Sequence, residues 1–353
     1  MNFLFYIRNL LIIMRKRFFA ILQYIVFLGA GIFLVWWSIH KLSEKDYLEF
    51  VISLKNANYY LLIPVFLILI ASHLSRAIRW KILMESMNYR PRLSNTFCAV
   101  MIGYLANFAF PRLGEVLKCT ILGKYEKVPP DKLVGTILVE RAVDLVSFFI
   151  VIIISLLTQA NVVGIFTKEI FKNYFLSQNK QSAVIKIVAV IFLLATFFFL
   201  LKYIIKRFRH LVFVQKIKNI LNGIKEGLLS VKKMKNKWLF IFHSVFIWAC
   251  YMGGTYIAFH AINETSQLPV LSTFPILAFG TVATIVTPGG IGLYPVFIME
   301  AMKLYDIPES FGTANGWLQW SAQFFLILIV GFICLLILPY LNKSKNEISQ
   351  QHT

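Results

Sequence analysis

Apolar residues run through this chain in long uninterrupted blocks, without the alternation or one-faced spacing of a soluble fold. Blocks of about 20 apolar residues, enough for a helix to cross the hydrocarbon core of a bilayer, fall near 18–39, 59–80, 133–157, 184–205, 238–262 and 311–340. Two further apolar blocks, near 93–111 and 271–302, are broken. The first break is Asn107-Phe108-Ala109-Phe110-Pro111-Arg112-Leu113-Gly114-Glu115, and the second is Thr287-Pro288-Gly289-Gly290-Ile291-Gly292. In lipid every backbone N–H and C=O needs a partner. Broken backbone at membrane depth therefore survives only inside protein or beside a wet cavity. A pair of Gly/Pro-interrupted apolar segments, one in each half, points to a transporter binding site.

Composition agrees. The chain is 58% hydrophobic and 15% charged, whereas soluble proteins are about a quarter charged. The net charge of +20 does not imply nucleic acid, because Lys and Arg sit in the loops between apolar blocks and no basic-aromatic module accompanies them. Cys98, Cys119, Cys250 and Cys334 form no CxxC pair and read as buried inert thiols. The histidines show no zinc spacing, so no metal or cofactor is expected. His73 and His243 lie within spans and are candidates for polar contacts between helices. The run after Arg15-Lys16-Arg17 is too long for a signal peptide and lacks its cleavage site, so it reads as an uncleaved first span.

Basic residues in the short loops orient the spans. Arg8, Arg15, Lys16 and Arg17 place the N-terminus in the cytoplasm. The loop at 40–58 has balanced charges and reads as external. Arg90 and Arg92 on one side, and Lys118, Lys124, Lys127 and Lys132 on the other, put both ends of the 93–111 block inside. The 206–237 loop, with ten basic residues and Glu226, is cytoplasmic. Phe213, Ile217, Ile220, Ile224, Leu228 and Val231 recur in it at helical spacing, as in an amphipathic helix on the inner leaflet, either anchoring the chain or recruiting anionic headgroups. Lys343 and Lys345 place the C-terminus inside, which makes the 271–302 block start and end outside.

The expected fold is an all-α polytopic membrane protein. It has about six transmembrane helices and two re-entrant hairpins of opposite orientation, near 93–118 and 271–302, as in an inverted repeat. No residue-level repeat relates the halves; topology alone carries this expectation. A cytoplasmic segment 1–17 precedes one transmembrane domain, 18–340, and a cytoplasmic tail 341–353 follows.

Four places concentrate polar chemistry. Arg76 and Arg79, three apart on one helix face, either snorkel to lipid phosphates or form a donor pair for one. Arg112, Glu115 and Lys118 follow Pro111, with Gly114 leaving room for close approach, and form either an ion pair or an anion site at a helix start. Glu140, Arg141 and Asp144 lie inside an apolar helix and must face the bundle interior. They could neutralise Arg112 or Lys118, or bind a headgroup amine. Pro288, Gly289, Gly290, Gly292 and Tyr294 mark the second break, either a phosphate-binding concavity or a tight turn.

Together these stretches resemble the transmembrane region of the lysylphosphatidylglycerol synthase family, the flippase-like integral membrane proteins. The matching residues are Asn107, Pro111, Arg112, Gly114 and Glu115, then Glu140, Arg141 and Asp144, with Arg79-Trp80 upstream and Pro288-Gly289-Gly290-Ile291-Gly292 downstream. The resemblance covers roughly 20–340. It departs at Pro295, where the family often carries a Glu; that role is lost or moved to Glu300. The sequence shows no soluble aminoacyl-transferase domain, so the resemblance implies the lipid-translocating half.

The expected function is transport of a phospholipid or lipid-linked substrate between leaflets, not catalysis. The partners expected are membrane lipids, anionic or aminoacylated, with a second copy or an envelope enzyme as further candidates. The expected place is a bacterial cytoplasmic membrane with both termini inside. A scaffold for envelope lipid machinery is the main alternative. A lipid-modifying enzyme is weaker, because no activated nucleophile, metal spacing or nucleotide loop is present.

Overall fold

The computed structural model describes residues 42–109, 113–159 and 234–343, with scattered positions between 29 and 40. The expectations for 1–17, for most of 18–39, for the 184–205 span, for nearly all of the basic 206–237 loop and for the end of the tail lie outside the described residues. So do Phe110, Pro111 and Arg112.

Among the described residues the fold is all-helical. The helices are α1 Glu44–Asn56, α2 Leu62–Glu85, α3 Leu93–Ala109, α4 Leu113–Glu126 and α5 Pro130–Thr158. Further along the chain come α6 Lys237–Phe259, α7 Thr273–Val286, α8 Leu293–Lys303 and α9 Glu309–Leu341. The stretches Tyr59–Glu85, Lys237–Phe259 and Glu309–Leu341 are each long and apolar enough to cross a membrane. The 29 residues of α5 end in the apolar run 146–158.

The loop expected at 40–58 is instead largely helix. Ser43 caps α1: its Oγ accepts from the Asp46 amide at 3.2 Å, and Glu44 and Asp46 sit in the first turn. Phe50 buries the inner face of α1.

Each broken apolar block folds as an antiparallel helical hairpin. In the first, α3 and α4 cross where Gly103 meets Gly114, and their far ends meet where Asn95 Nδ2 donates to Glu126. This hairpin runs on to Glu126, past the expected limit near 118, because Leu122 and Cys119 stay buried against α2 and α5. In the second, Phe279 packs on Phe297, and Ile276, Ile298 and Met302 share one apolar cluster.

The long helix α9 runs alongside both hairpins. Near its C-terminus Asn342 and Asn95 exchange two hydrogen bonds of 2.9 Å, which fasten the open end of the first hairpin. Near its N-terminus Lys303 pairs with Glu309, which fastens the open end of the second. The hairpins therefore enter from opposite ends of α9, and their tips meet near its middle. There Phe108 packs edge-on to Phe324, 5.2 Å between ring centres, and Trp320 Nε1 donates to the Gly289 carbonyl at 2.9 Å.

Candidate functional site

Charged residues on α2, α4 and α5 converge into one network beside the first hairpin. Asp144 Oδ1 accepts from Arg79 at 2.6 Å, and Asp144 Oδ2 accepts from Arg76 at 2.8 Å. Glu140 lies one turn below: Oε1 is 3.4 Å from both arginines, and Oε2 accepts from Lys118 Nζ at 3.2 Å. Arg141 donates to Glu115 at 3.0 Å and stands 4.0 Å from Asp144. The spacing explains the convergence, since 76/79 and 140/144 each lie on one helix face.

Apolar packing holds these groups in place. Arg79, Lys118 and Glu140 are buried, with Lys118 Nζ 4.5 Å from the centre of the Trp80 ring. Trp80 is pinned by its own hydrogen bond to Thr136, 2.8 Å. Among the described residues the network holds four cations (Arg76, Arg79, Lys118, Arg141) and three carboxylates (Glu115, Glu140, Asp144), a surplus of one positive charge.

Three expectations change. Arg76 and Arg79 do not snorkel: they turn inward onto Glu140 and Asp144 of α5. Glu115 pairs with Arg141 rather than with Lys118, which one turn on is drawn to the fully buried Glu140. Glu140 and Asp144 are occupied by cations of the protein itself, which disfavours the amine-binding reading.

Beside the network lies a cavity of about 850 Å³. Its polar wall is His73 and Arg76 from α2, Tyr104 and Asn107 from α3, and Tyr251 from α6. Arg141 and Asp144 border it, and Gly280, Thr281, Thr284, Gly289 and Tyr294 come from the second hairpin. Its rim at Leu138, Leu145 and Ile285 is apolar and exposed.

The hairpin residues divide by task. A Cβ on Gly114 would fall on the Gly103 carbonyl oxygen, so glycine is what lets α4 cross α3 this closely. Asn107 Oδ1 accepts from the Gly114 amide at 2.8 Å and closes that turn. Gly289, Gly290 and Gly292 all have positive φ, the conformation glycine adopts without steric cost. The amides of Gly290 and Ile291 donate within the turn, to Thr287 and Pro288, so this break favours the tight-turn reading over the phosphate concavity. Tyr294 packs across Gly280 and donates to Gln319 at 3.2 Å.

Pro295 lies buried against Gly316 of α9. Glu300 does not replace a carboxylate at 295, because it pairs with Lys303 at the far end of α8.

Sequence reasoning missed the aromatic part of the wall. Tyr104, Tyr251 and Trp248 sit in apolar runs with no flanking motif, and only packing shows that they line a cavity. His243 meets Ser75 Oγ at 2.8 Å, as a polar contact between helices, whereas His73 packs on the Tyr104 ring and finds no hydrogen-bond partner among the described residues.

Comparison with known proteins places this geometry in a family. The chain is 25% identical to a UPF0104 membrane protein of Methanocaldococcus jannaschii over 314 residues, which is 83% of this chain and 88% of the relative. It is 23% identical to a UPF0104 membrane protein of Methanothermobacter thermautotrophicus over 294 residues, 76% of this chain and 82% of the relative. No solved structure matches. Residues 20–342 match the family described as Lysylphosphatidylglycerol synthase TM region. A match across nearly the whole chain, on an all-helical fold with apolar spans, makes this protein a multi-pass integral membrane member of the lysylphosphatidylglycerol synthase transmembrane-region family.

Proposed function

We propose that this protein moves a phospholipid or lipid-linked substrate between the leaflets of a cell membrane. The observation that carries this reading is the cavity. It joins a charged wall to an exposed apolar rim, which is the division a lipid needs for headgroup and chains. The headgroup sits against Arg76 and Asn107 while the acyl chains leave over Leu138, Leu145 and Ile285. Both hairpins are re-entrant and opposed, with both termini in the cytoplasm. Contact of Phe108 and Gly289 at the tips separates the two sides, and parting of the tips opens the path.

The test is translocation of headgroup-labelled lipids in liposomes holding the purified protein. Wild type is expected to move lipid, and Glu140→Gln, which keeps the side-chain shape but leaves Lys118 and both arginines less compensated, is expected to abolish movement. Equal transport by both proteins would sink this assignment of the site. The topology has its own check: cysteines introduced at Lys124 and Glu300, both exposed, are expected to label from opposite sides of the membrane.

A further inference from the structure

We propose that the cavity recognises a phosphate group of an anionic lipid, and that His73 is one of its ligands. This deepens the lipid-transport reading and rests on it. Three observations converge.

First, the carboxylates at and beside the cavity are already engaged. Each Asp144 oxygen already accepts from an arginine, and Glu115 is taken by Arg141. A cationic aminoacyl headgroup entering here would find no unengaged carboxylate among the described lining residues. Among the described residues the network keeps one surplus positive charge, which an anion completes.

Second, His73 is unpartnered where it should not be. It is only 2% exposed, it lines the cavity, and neither Nδ1 nor Nε2 meets a hydrogen-bond partner among the described residues. A buried imidazole without partners costs stability unless a ligand supplies them. Arg76, one turn along the same face, also keeps its Nε without a partner among those residues.

Third, the donors come from three directions. His73 and Arg76 stand on α2, Asn107 on α3 and Tyr251 on α6. Asn107 uses its Oδ1 on Gly114, which leaves its amide N–H groups for a ligand. Tyr251 accepts from Arg76 Nη2 at 3.1 Å and keeps its own O–H to donate. Such an array suits a tetrahedral oxyanion better than a planar carboxylate.

The experiment is calorimetric titration of the purified full-length protein in detergent with four probes: dioctanoyl phosphatidic acid, dioctanoyl lysylphosphatidylglycerol, dioctanoylglycerol and inorganic phosphate. Phosphatidic acid is expected to bind saturably, at least about tenfold tighter than the lysylated lipid or dioctanoylglycerol, the effect of one hydrogen bond to a charged group. His73→Phe keeps ring and volume and is expected to weaken phosphatidic acid alone, by about tenfold. His73→Gln restores an N–H donor and is expected to recover most of that loss.

Lysylated lipid binding as tightly as phosphatidic acid would overturn the anionic preference and leave lipid transport standing. Inorganic phosphate binding as tightly as the lipid would support the anion site and count against the lipid reading. Unchanged affinity in a folded His73→Phe variant, or no binding of any probe, would overturn the proposal.

Discussion

The two hairpins share an architecture and do different work. Each is a pair of short helices that enters from one end of α9 and turns back at its middle. The first builds its surface from side chains: Lys118 and Glu115 reach into the ion network, and Asn107 and Tyr104 reach the cavity. Along its helices α7 and α8 the second carries just Glu300 and Lys303 as charges, both at its far end. Its contribution near the cavity is shape, from a glycine turn, two threonines and the Tyr294 ring. The difference follows from what each faces. The first packs on α2 and α5, where buried arginines demand partners, and the second packs largely on α9, where apolar contact suffices. Charge is thus carried by the first hairpin and shape by the second.

The largest effect should come from the first hairpin's electrostatics. Glu140→Ala strands Lys118 and leaves Arg79 short of a carboxylate; loss of one partner of a buried pair costs about 3–5 kcal/mol. A matching fall in thermal stability in detergent is expected, and an unshifted midpoint would show that the network does not hold α4 to α5.

Next comes the crossing itself. Gly114→Leu must push α4 off α3, with a cost of about 1–3 kcal/mol for overpacking and loss of transport. On the second hairpin the corresponding approach is of a different kind: Gly280 faces the end of the Tyr294 ring, not a backbone carbonyl. A ring can turn aside where backbone cannot, so Gly280→Ala should be milder by the same thermal assay. An equal or larger loss would show that the second crossing is as tightly set as the first.

At the tips, Gly289→Ala forces a Cβ into the left-handed region and onto the Phe108 ring. The backbone part costs about 1–2 kcal/mol. Adding Phe108→Ala should relieve the clash but not the backbone strain, so a double-mutant cycle should show coupling of about 0.5–3 kcal/mol if the tips touch. Additive effects would mean that the tips stand apart.

The smallest effect is expected at Tyr294→Phe. It removes one hydrogen bond to Gln319, worth about 0.5–1.5 kcal/mol, and leaves the ring in place over Gly280. Transport rate should stay near wild type. A strong loss would give the second hairpin a chemical role and erase the contrast between the two.

Much of this frame was legible. The spans at 59–80, 238–262 and 311–340 appear as α2, α6 and α9 within a few residues, because length and apolarity alone define a membrane helix. The breaks at 107–115 and 287–292 coincide with the hairpin turns, because Pro and Gly act on local backbone. Pairing was less legible. Arg76 and Asp144 are 68 positions apart, and no spacing rule joins them. His73, expected from the sequence to make a polar contact between helices, instead packs on the Tyr104 ring without a hydrogen-bond partner among the described residues.

By itself, the sequence determined the membrane class, the family motifs, the placement of the turns and which helix faces carry charge. These follow from hydropathy, backbone chemistry and helical period, all of them local. The tertiary structure decided which cation meets which carboxylate, that Asp144 beside the cavity is already paired, and that the two tips meet at Trp320 and Phe324. Those outcomes depend on how helices distant in sequence are packed, and packing is where a buried charge or an idle imidazole acquires its meaning.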